Sequence, residues 1–215
     1  MKKSIKNKIP KILIAENGPY EVSGNIPLIE EVIVFNKDDE PLRWMKIKKY
    51  PLIESYALCR CGQSKNMPYC DGVHSKFNFD GTETASKEKY LKNAQKFVGK
   101  DLILTDLNEL CSGAGFCKRA GGIWERVQYG TVKKSKNIAI KEAGCCNSGR
   151  LVVWNKKTKK AIEPKFKPTI SVMKNGPLWV KGNIPIGNYE IRNRVSLCSC
   201  GKSDNKPFCD TSHFY

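Results

Sequence analysis

The sequence lacks any apolar run long enough to cross a lipid bilayer, which would need about 18 consecutive residues. Its longest apolar runs, such as Val32–Phe35 and Leu151–Trp154, are short and typical of buried strands. The N-terminal segment 1–8 is charged and has no apolar stretch of the kind found in secretion signals. These absences predict a soluble, cytoplasmic protein that does not insert into a membrane.

Signatures of common enzymes are also missing. The chain has no P-loop, no glycine-rich dinucleotide fingerprint and no Ser/His/Asp arrangement. Histidine occurs only twice in the 215 residues, as His74 and His213, and both lie beside groups of cysteines. No persuasive catalytic constellation therefore remains, and we expect a binding or carrier protein in preference to an enzyme.

Cysteine, in contrast, is abundant. Because the cytoplasm keeps thiols reduced, ten cysteines are better explained by metal binding than by disulfides. They fall into three groups, with three near position 65, four between positions 111 and 146, and three near position 204. Only 40% of the residues are hydrophobic, and small cores of this kind are often stabilised by metals.

Positive charge is the other excess, with a formal net charge of +17. The lysines are scattered along the chain and no nucleic-acid-binding motif accompanies them, so we interpret most of them as a solvated surface. A basic surface favours acidic partner proteins at low salt. A nucleic-acid partner is the less favoured interpretation.

An internal repeat defines the organisation of the chain. Residues 10–27 align without gaps to residues 168–185 with ten identities in 18 positions, and each copy predicts a strand, an Asn-Gly-Pro turn and a second strand. Residues 59–74 align to residues 198–213 with nine identities in 16 positions. The offset between copies falls from 158 to 139, so the first copy carries 19 extra residues within 28–58, where further strands are expected.

The segment between the copies has a different pattern. Its apolar residues predict a helix that begins after Ser86 and ends at Gly99, followed by strands at 102–105, near 138–140 and at 151–154. We therefore predict a β-rich α+β protein with three units. These are a β-rich N-terminal unit (1–84), a middle module (85–165) and a second β-ribbon unit (166–215).

Both outer cysteine groups have the pattern Cys-x-Cys-x8-Cys-Asp-x2-His. Residues two apart in a strand face the same side, and residues four apart share one face of a helical turn. Each group can therefore supply two donor pairs, one for each iron of a [2Fe–2S] cluster, although three cysteines and a histidine also suit zinc. The first outer set is Cys59, Cys61, Cys70 and His74, and the second outer set is Cys198, Cys200, Cys209 and His213.

These motifs resemble the CDGSH iron–sulfur domain, the mitoNEET-like family. The first copy, CRCGQSKNMPYCDGVH, agrees with the family pattern at every defined position, and the second, CSCGKSDNKPFCDTSH, departs only at Thr211, where the family has glycine. The resemblance implies two reversible one-electron [2Fe–2S] clusters with Cys3His ligation. Eukaryotic members of the family are dimers, so the resemblance also implies an intramolecular pseudo-dimer, with the chain monomeric.

The middle cysteines resemble the divergent single-cluster ferredoxin-like domains that are found fused to CDGSH domains. Cys-x5-Cys precedes a Cys-Asn-Ser-Gly turn, and Ala114 stands where a ferredoxin has its central cysteine. The resemblance implies a [3Fe–4S] cluster held by the middle set, Cys111, Cys117 and Cys146. Cys145 is a possible fourth ligand of a [4Fe–4S] cluster, and the remaining alternative is that these cysteines are ordinary buried residues.

Three functions are compatible with these motifs. The first is electron transfer to or from an acidic redox partner. The second is a redox or pH sensor, or the donation of clusters to an apo iron–sulfur acceptor through the more labile histidine ligand. The third is a nucleic-acid-binding protein that is stabilised by zinc and uses its positive charge.

Overall fold

The computed structural model describes residues 9–214. The charged segment 1–8, on which the expectation about secretion rested, lies outside the described residues, as does Tyr215. In residues 9–214, the helices all fall short of the length and apolar character that a membrane span requires.

Most of the regular structure consists of strands. The strands are β1 (Lys11–Ile14), β2 (Tyr20–Ser23), β3 (Leu28–Phe35), β4 (Pro41–Lys49), β5 (Ser55–Leu58), β6 (Gln95–Val98), β7 (Leu102–Asp106), β8 (Leu151–Asn155), β9 (Ala161–Ile162), β10 (Thr169–Met173), β11 (Leu178–Lys181) and β12 (Arg194–Leu197). The helices are α1 (Tyr90–Asn93), α2 (Ile123–Gln128) and α3 (Lys133–Cys145), and short 3₁₀ turns cover Val73–Lys76, Asn108–Leu110, Phe116–Gly121 and Ser212–Phe214. The predicted β-rich α+β class is confirmed.

The strands form three sheets. The first has the order β1-β2-β5, the second β12-β11-β10-β3-β4 and the third β6-β7-β8-β9. The strand–turn–strand prediction holds in both repeats, because β1 pairs antiparallel with β2 and β10 pairs antiparallel with β11. Both turns place their asparagine in the left-handed region, Asn17 at φ 46° and Asn175 at φ 53°, which asparagine tolerates better than most residues. The extra residues of the first copy supply β3 and β4, as expected.

Each repeat also forms backbone hydrogen bonds with the other. The Ile12 amide donates a hydrogen bond of 2.9 Å to the Pro185 carbonyl, and the equivalent Ile170 amide donates one of 3.0 Å to the Pro27 carbonyl. Strand β3 continues the second contact by pairing parallel with β10. One hydrophobic core accordingly contains buried residues of both copies, including Tyr20, Ile170 and Leu178.

The middle segment differs from expectation in two places. The helix expected over 86–99 is only α1, because Ala94 takes an extended conformation and β6 instead pairs with β7. The strand expected near 138–140 is part of α3, where Ala139 and Ala143, four residues apart, are buried against Leu104 and Val153 of the neighbouring sheet. In residues 94–98, pairing with β7 outweighed the local helical periodicity. At 138–140, the short run that contains β-branched residues favoured a strand, although the small residues Ala139 and Ala143 have helical spacing.

Candidate metal centres

The first outer set forms two close donor pairs. Cys59 directly follows β5, and its Sγ lies 3.6 Å from Cys61 Sγ. Cys70 Sγ lies 3.4 Å from His74 Nδ1, which is on the 3₁₀ turn Val73–Lys76. The pairing that the sequence predicts, Cys59 with Cys61 and Cys70 with His74, is therefore present.

Asp71 shapes the turn that carries His74. Its carboxylate accepts hydrogen bonds from the Lys65 amide at 2.9 Å and the Val73 amide at 3.1 Å. These backbone hydrogen bonds, that from Lys65 foremost, hold the pKa of Asp71 below its usual value. Gly72, at φ 82°, supplies the left-handed residue at the start of the turn.

The second outer set repeats this geometry. Cys198 Sγ and Cys200 Sγ lie 3.7 Å apart, and Cys209 Sγ lies 3.3 Å from His213 Nδ1. Asp210 accepts hydrogen bonds from the Asp204 amide at 2.8 Å and the Ser212 amide at 3.0 Å. Thr211 takes the left-handed conformation of its glycine counterpart, with φ 80°.

Burial and mutual hydrogen bonding govern the thiols of the second outer set. The hydrogen bond with Cys200 lowers the pKa of Cys198 to about 6 and, in the same exchange, raises that of Cys200. Burial raises the pKa of Cys209 to about 12. The hydrogen bond between the two sulfurs therefore eases loss of the first proton from the Cys198/Cys200 pair, and the thiolate is the form that binds metal.

The donor sets suit a two-iron core. Each supplies three sulfurs and one imidazole nitrogen as two separate pairs, and a [2Fe–2S] cluster needs two protein ligands on each iron. A cavity of about 790 Å³ adjoins both sets, lined by Cys59 of the first and by Cys200 and His213 of the second. Within residues 9–214, no three His, Cys, Asp or Glu side chains are arranged to hold a single metal ion.

The two outer sets meet at their backbones. Cys61 and its equivalent Cys200 form an isolated antiparallel bridge. A Cβ on Gly62 would lie 2.7 Å from the Cys200 carbonyl oxygen, and one on Gly201 would lie 2.9 Å from the Cys61 carbonyl oxygen. Glycine is therefore required at both positions, because only an absent side chain permits this approach.

The middle set lines a separate, smaller cavity. Cys111, Cys117 and Cys146 surround a volume of about 30 Å³. Burial raises the pKa of Cys117 to about 11, with a further contribution from Cys146. Arg150 reaches this cavity and is fixed by an ion pair with Asp106, in which Arg150 Nε lies 2.5 Å from Asp106 Oδ1. A guanidinium beside three thiols stabilises negative charge on sulfur.

Cys145 is not brought together with the middle set. It lines a different cavity of about 470 Å³, walled by the aromatic rings of Trp44, Phe166 and Trp179. Cys145 ends α3, and Trp44 Nε1 donates a hydrogen bond of 2.9 Å to its carbonyl oxygen. The possible fourth ligand suggested by the sequence therefore faces away from the other three, because adjacent residues at a helix end point in different directions.

Two residues at the outer sets were missed by sequence reasoning. The Tyr20 hydroxyl, fully buried, donates to the Cys198 carbonyl at 2.9 Å and the Pro207 carbonyl at 3.0 Å, so the first repeat supports the metal loop of the second. Arg60, buried between the two ligand cysteines of the first loop, donates to the Ala15 carbonyl at 2.9 Å. Arg60 could have been found from the sequence, because it is a charged residue between the two ligands Cys59 and Cys61. Tyr20 could not, because no local motif marks it and its repeat counterpart is Leu178.

Two family models match the parts of the chain that contain the outer and middle sets. The family model described as iron-binding zinc finger, CDGSH type, matches residues 17–75 and 175–214, which contain the two outer sets. The model described as divergent 4Fe-4S mono-cluster matches residues 97–156, which contain the middle set. No curated protein and no solved structure gives a significant match.

Proposed function

Because the chain carries two iron-binding zinc fingers of the CDGSH type on either side of a divergent 4Fe-4S mono-cluster domain, we propose that this iron–sulfur protein acts in electron transfer. The observation that supports the proposal best is the division of each outer set into two close donor pairs. Such pairs suit a two-iron centre, which exchanges one electron when bound.

The ligands follow from these pairs. In the first outer set, Cys59 and Cys61 hold one iron, and Cys70 and His74 hold the other. The second outer set holds its cluster in the same way, with Cys198 and Cys200 on one iron and Cys209 and His213 on the other. The middle set holds the third cluster through Cys111, Cys117 and Cys146. Three cysteines around one cavity favour [3Fe–4S] at this position, and [4Fe–4S] would need a fourth ligand other than Cys145.

The chain's own residues protect and position these ligands. Cys59, Cys198 and Cys209 are buried, which keeps water from the sulfurs. Tyr20 links the second metal loop to the first copy through its hydrogen bond to the Cys198 carbonyl. Arg60 links the first metal loop to the turn of its own repeat through its hydrogen bond to the Ala15 carbonyl. Surrounding hydrogen bonds and burial of this kind set the potential of an iron–sulfur centre.

The remaining assignments concern the protein as a whole. The three units are 1–84, 85–165 and 166–215, the protein works in the cytoplasm as a monomer, and its two copies form an intramolecular pseudo-dimer. The reciprocal hydrogen bonds of Ile12 and Ile170 support the last point. The net charge of +17 favours an acidic redox protein as the partner.

The visible absorption spectrum of anaerobically purified protein tests this function, with iron, sulfide and zinc measured on the same sample. Iron–sulfur absorption with about four irons per chain establishes the outer clusters, and about seven or eight irons adds the middle one. A colourless protein with stoichiometric zinc and no sulfide, unchanged by anaerobic reconstitution, would contradict the proposal and favour the zinc-stabilised alternative.

Cluster donation is a second candidate, and the exposure of the first outer set favours it. Asp71 and Gly72 beside the Cys70/His74 pair are exposed, whereas the equivalent Asp210 and Thr211 are partly covered. Incubation with an apo iron–sulfur acceptor would show transfer as a gain of iron and sulfide by the acceptor. We expect His74→Cys to slow this transfer more than His213→Cys, since a thiolate is a less labile ligand than imidazole. Equal transfer by both variants would count against donation from the first centre.

A further inference from the structure

The two outer sets are equivalent in sequence but differ in their neighbours. The loop 112–114 of the middle cavity lies against the end of the second metal loop. A methyl group placed on Gly113 would lie 2.5 Å from the Phe214 ring and 3.4 Å from Thr211 Cγ2. The absence of a side chain at Gly113 therefore permits direct packing of the middle loop on the second outer set.

Phe214 contacts both the second outer set and the middle loop. Its ring packs against the His213 imidazole at an angle of 41°, with the ring centroids 4.1 Å apart. His213, Phe214 and the loop 112–114 also line one shared cavity of about 180 Å³. A single aromatic ring thus touches a ligand of the second outer set and the backbone between two ligands of the middle set.

A further contact fixes this approach. Asn205, in the second metal loop, donates a side-chain hydrogen bond of 2.9 Å to the Glu109 carbonyl, two residues before Cys111. This hydrogen bond holds the second metal loop beside the segment that carries Cys111.

The first outer set has a different environment. Gly72 replaces Thr211, and among the described residues nothing lies within 4 Å of a Cβ placed there. Ser75 replaces Phe214 and is exposed, with its hydroxyl donating to the Gly72 carbonyl at 2.9 Å. The turn that carries His74 consequently faces solvent where the turn that carries His213 faces the middle loop.

We propose that the middle centre and the second outer centre form an interacting pair, positioned by Phe214 and Gly113, and that the first outer centre is magnetically independent of the middle one. This inference rests on the proposed function, because it requires that all three sets hold iron–sulfur clusters. Phe214 is a positioning residue in this pair and binds no iron itself.

Electron paramagnetic resonance of the dithionite-reduced protein tests the pairing. Two unpaired-spin centres that lie close together broaden each other's signals and hasten each other's relaxation. His74→Cys and His213→Cys each change the ligands of one outer centre and so identify its signal. We expect the second outer signal of the parent protein to be broader and harder to saturate with microwave power than the first.

Removal of the middle centre gives the decisive comparison. In Cys117→Ala, with the middle iron lost, we expect the second outer signal to sharpen and the first to stay unchanged. Phe214→Ala retains every ligand and covers the case in which Cys117→Ala does not fold. It should shift the microwave-power saturation of the second signal toward that of the first, whereas Phe77→Ala, an exposed phenylalanine after the first turn, should shift neither.

The outcomes separate the two proposals. Iron and sulfide analysis could show three clusters while neither outer signal changes in Cys117→Ala. That result would overturn the pairing and leave the proposed function intact. Sharpening of the first signal in place of the second would do the same. Outer clusters without middle iron would also overturn the pairing. A protein without iron or sulfide after reconstitution would overturn both.

Discussion

Thr211 holds a backbone conformation that branched L-amino acids rarely adopt. Its φ of 80° matches the 82° of Gly72 at the equivalent position of the first copy. Steric repulsion in the left-handed region disfavours a side chain by about 1–2 kcal/mol. The second metal loop is therefore held in this conformation by its surroundings, which include the hydrogen bonds to Asp210.

Thr211→Gly should consequently stabilise the protein, with a gain of about 1 kcal/mol that appears as a rise of about 2–4 °C in the melting temperature. Gly72→Thr is the matched control. It should lower stability by about 1–2 kcal/mol because the side chain would have room but the backbone would be strained. Thermal unfolding of the two variants and the parent, followed by circular dichroism, measures both changes. A loss of stability in Thr211→Gly would show that its contact with the Gly113 loop outweighs the strain.

Glu142 is the buried acid of the middle module. It is 2% exposed, and burial raises its pKa from 4.5 to about 7 although Arg126 Nε lies 3.8 Å away. The folded protein thus holds a proton on Glu142 at a pH at which the unfolded chain has released it. The resulting stabilisation is complete below about pH 4.5 and is lost as the pH rises to about 7.

Glu142→Gln should remove this pH dependence. Between pH 6 and pH 8, the parent should lose about 1 kcal/mol of its free energy of unfolding relative to the variant. Urea unfolding of both proteins at the two pH values measures the difference. Parallel curves for parent and variant would mean that the folded Glu142 releases its proton at a lower pH.

At the scale of elements, the junction of the two metal loops requires glycine. Gly62 and Gly201 each approach a carbonyl of the opposite copy, and the Cys61–Cys200 bridge lies between them. Any side chain at these positions must push the two ligand-bearing segments apart.

Gly62→Ala should therefore cost more than the conformational penalty alone. We expect a loss of clearly more than about 1–2 kcal/mol, together with a lower iron content of both outer sets. Gly72→Ala is the control, since its φ is similar and a Cβ there meets open space. Melting temperatures and iron analysis of the two variants provide the test, and equal losses would show that the junction can separate without penalty.

The repeat made the ribbons and the donor pairs predictable, because the alternation of strand residues and the spacing of Cys59, Cys61, Cys70 and His74 are local properties. The middle segment was less predictable. Residues Gln95–Val98 form a strand because β7 pairs with them, and no local pattern reports that partner. The separation of Cys145 from Cys146 likewise depends on where α3 ends, and the contact of Phe214 with Gly113 joins positions that are distant in the chain.

At the scale of the whole molecule, positive charge dominates the surface. With a net charge of +17, the protein would attract the proposed acidic partner over a long range, and salt would screen that attraction.

Binding to an acidic electron-transfer protein should therefore weaken steeply as the salt concentration rises from about 0.1 M to about 1 M, where the screening length falls from about 10 Å to about 3 Å. Calorimetric titration at several salt concentrations measures this effect, with a basic redox protein as the control partner. Affinity that does not depend on salt would indicate that the positive surface is not the docking surface.

The interleaving of the copies also predicts the oligomeric state. Since both halves of the proposed pseudo-dimer belong to one chain, light scattering should give a mass near the chain mass of 24.3 kDa. Gly62→Ala is the comparison variant. Loosening the junction between the copies would let two chains exchange a copy and so form a dimer. An obligate dimer of the parent protein would contradict the intramolecular pseudo-dimer.

The reciprocal backbone hydrogen bonds of Ile12 and Ile170 have a consequence for truncation. Each repeat covers an open strand edge of the other, at β1 through residues 185–187 and at β10 through β3. A chain that stopped before residue 166 would leave the edge of β1 uncovered, and uncovered edges recruit strands from other molecules. Synthesis interrupted in the second half of the chain would thus yield an aggregation-prone product.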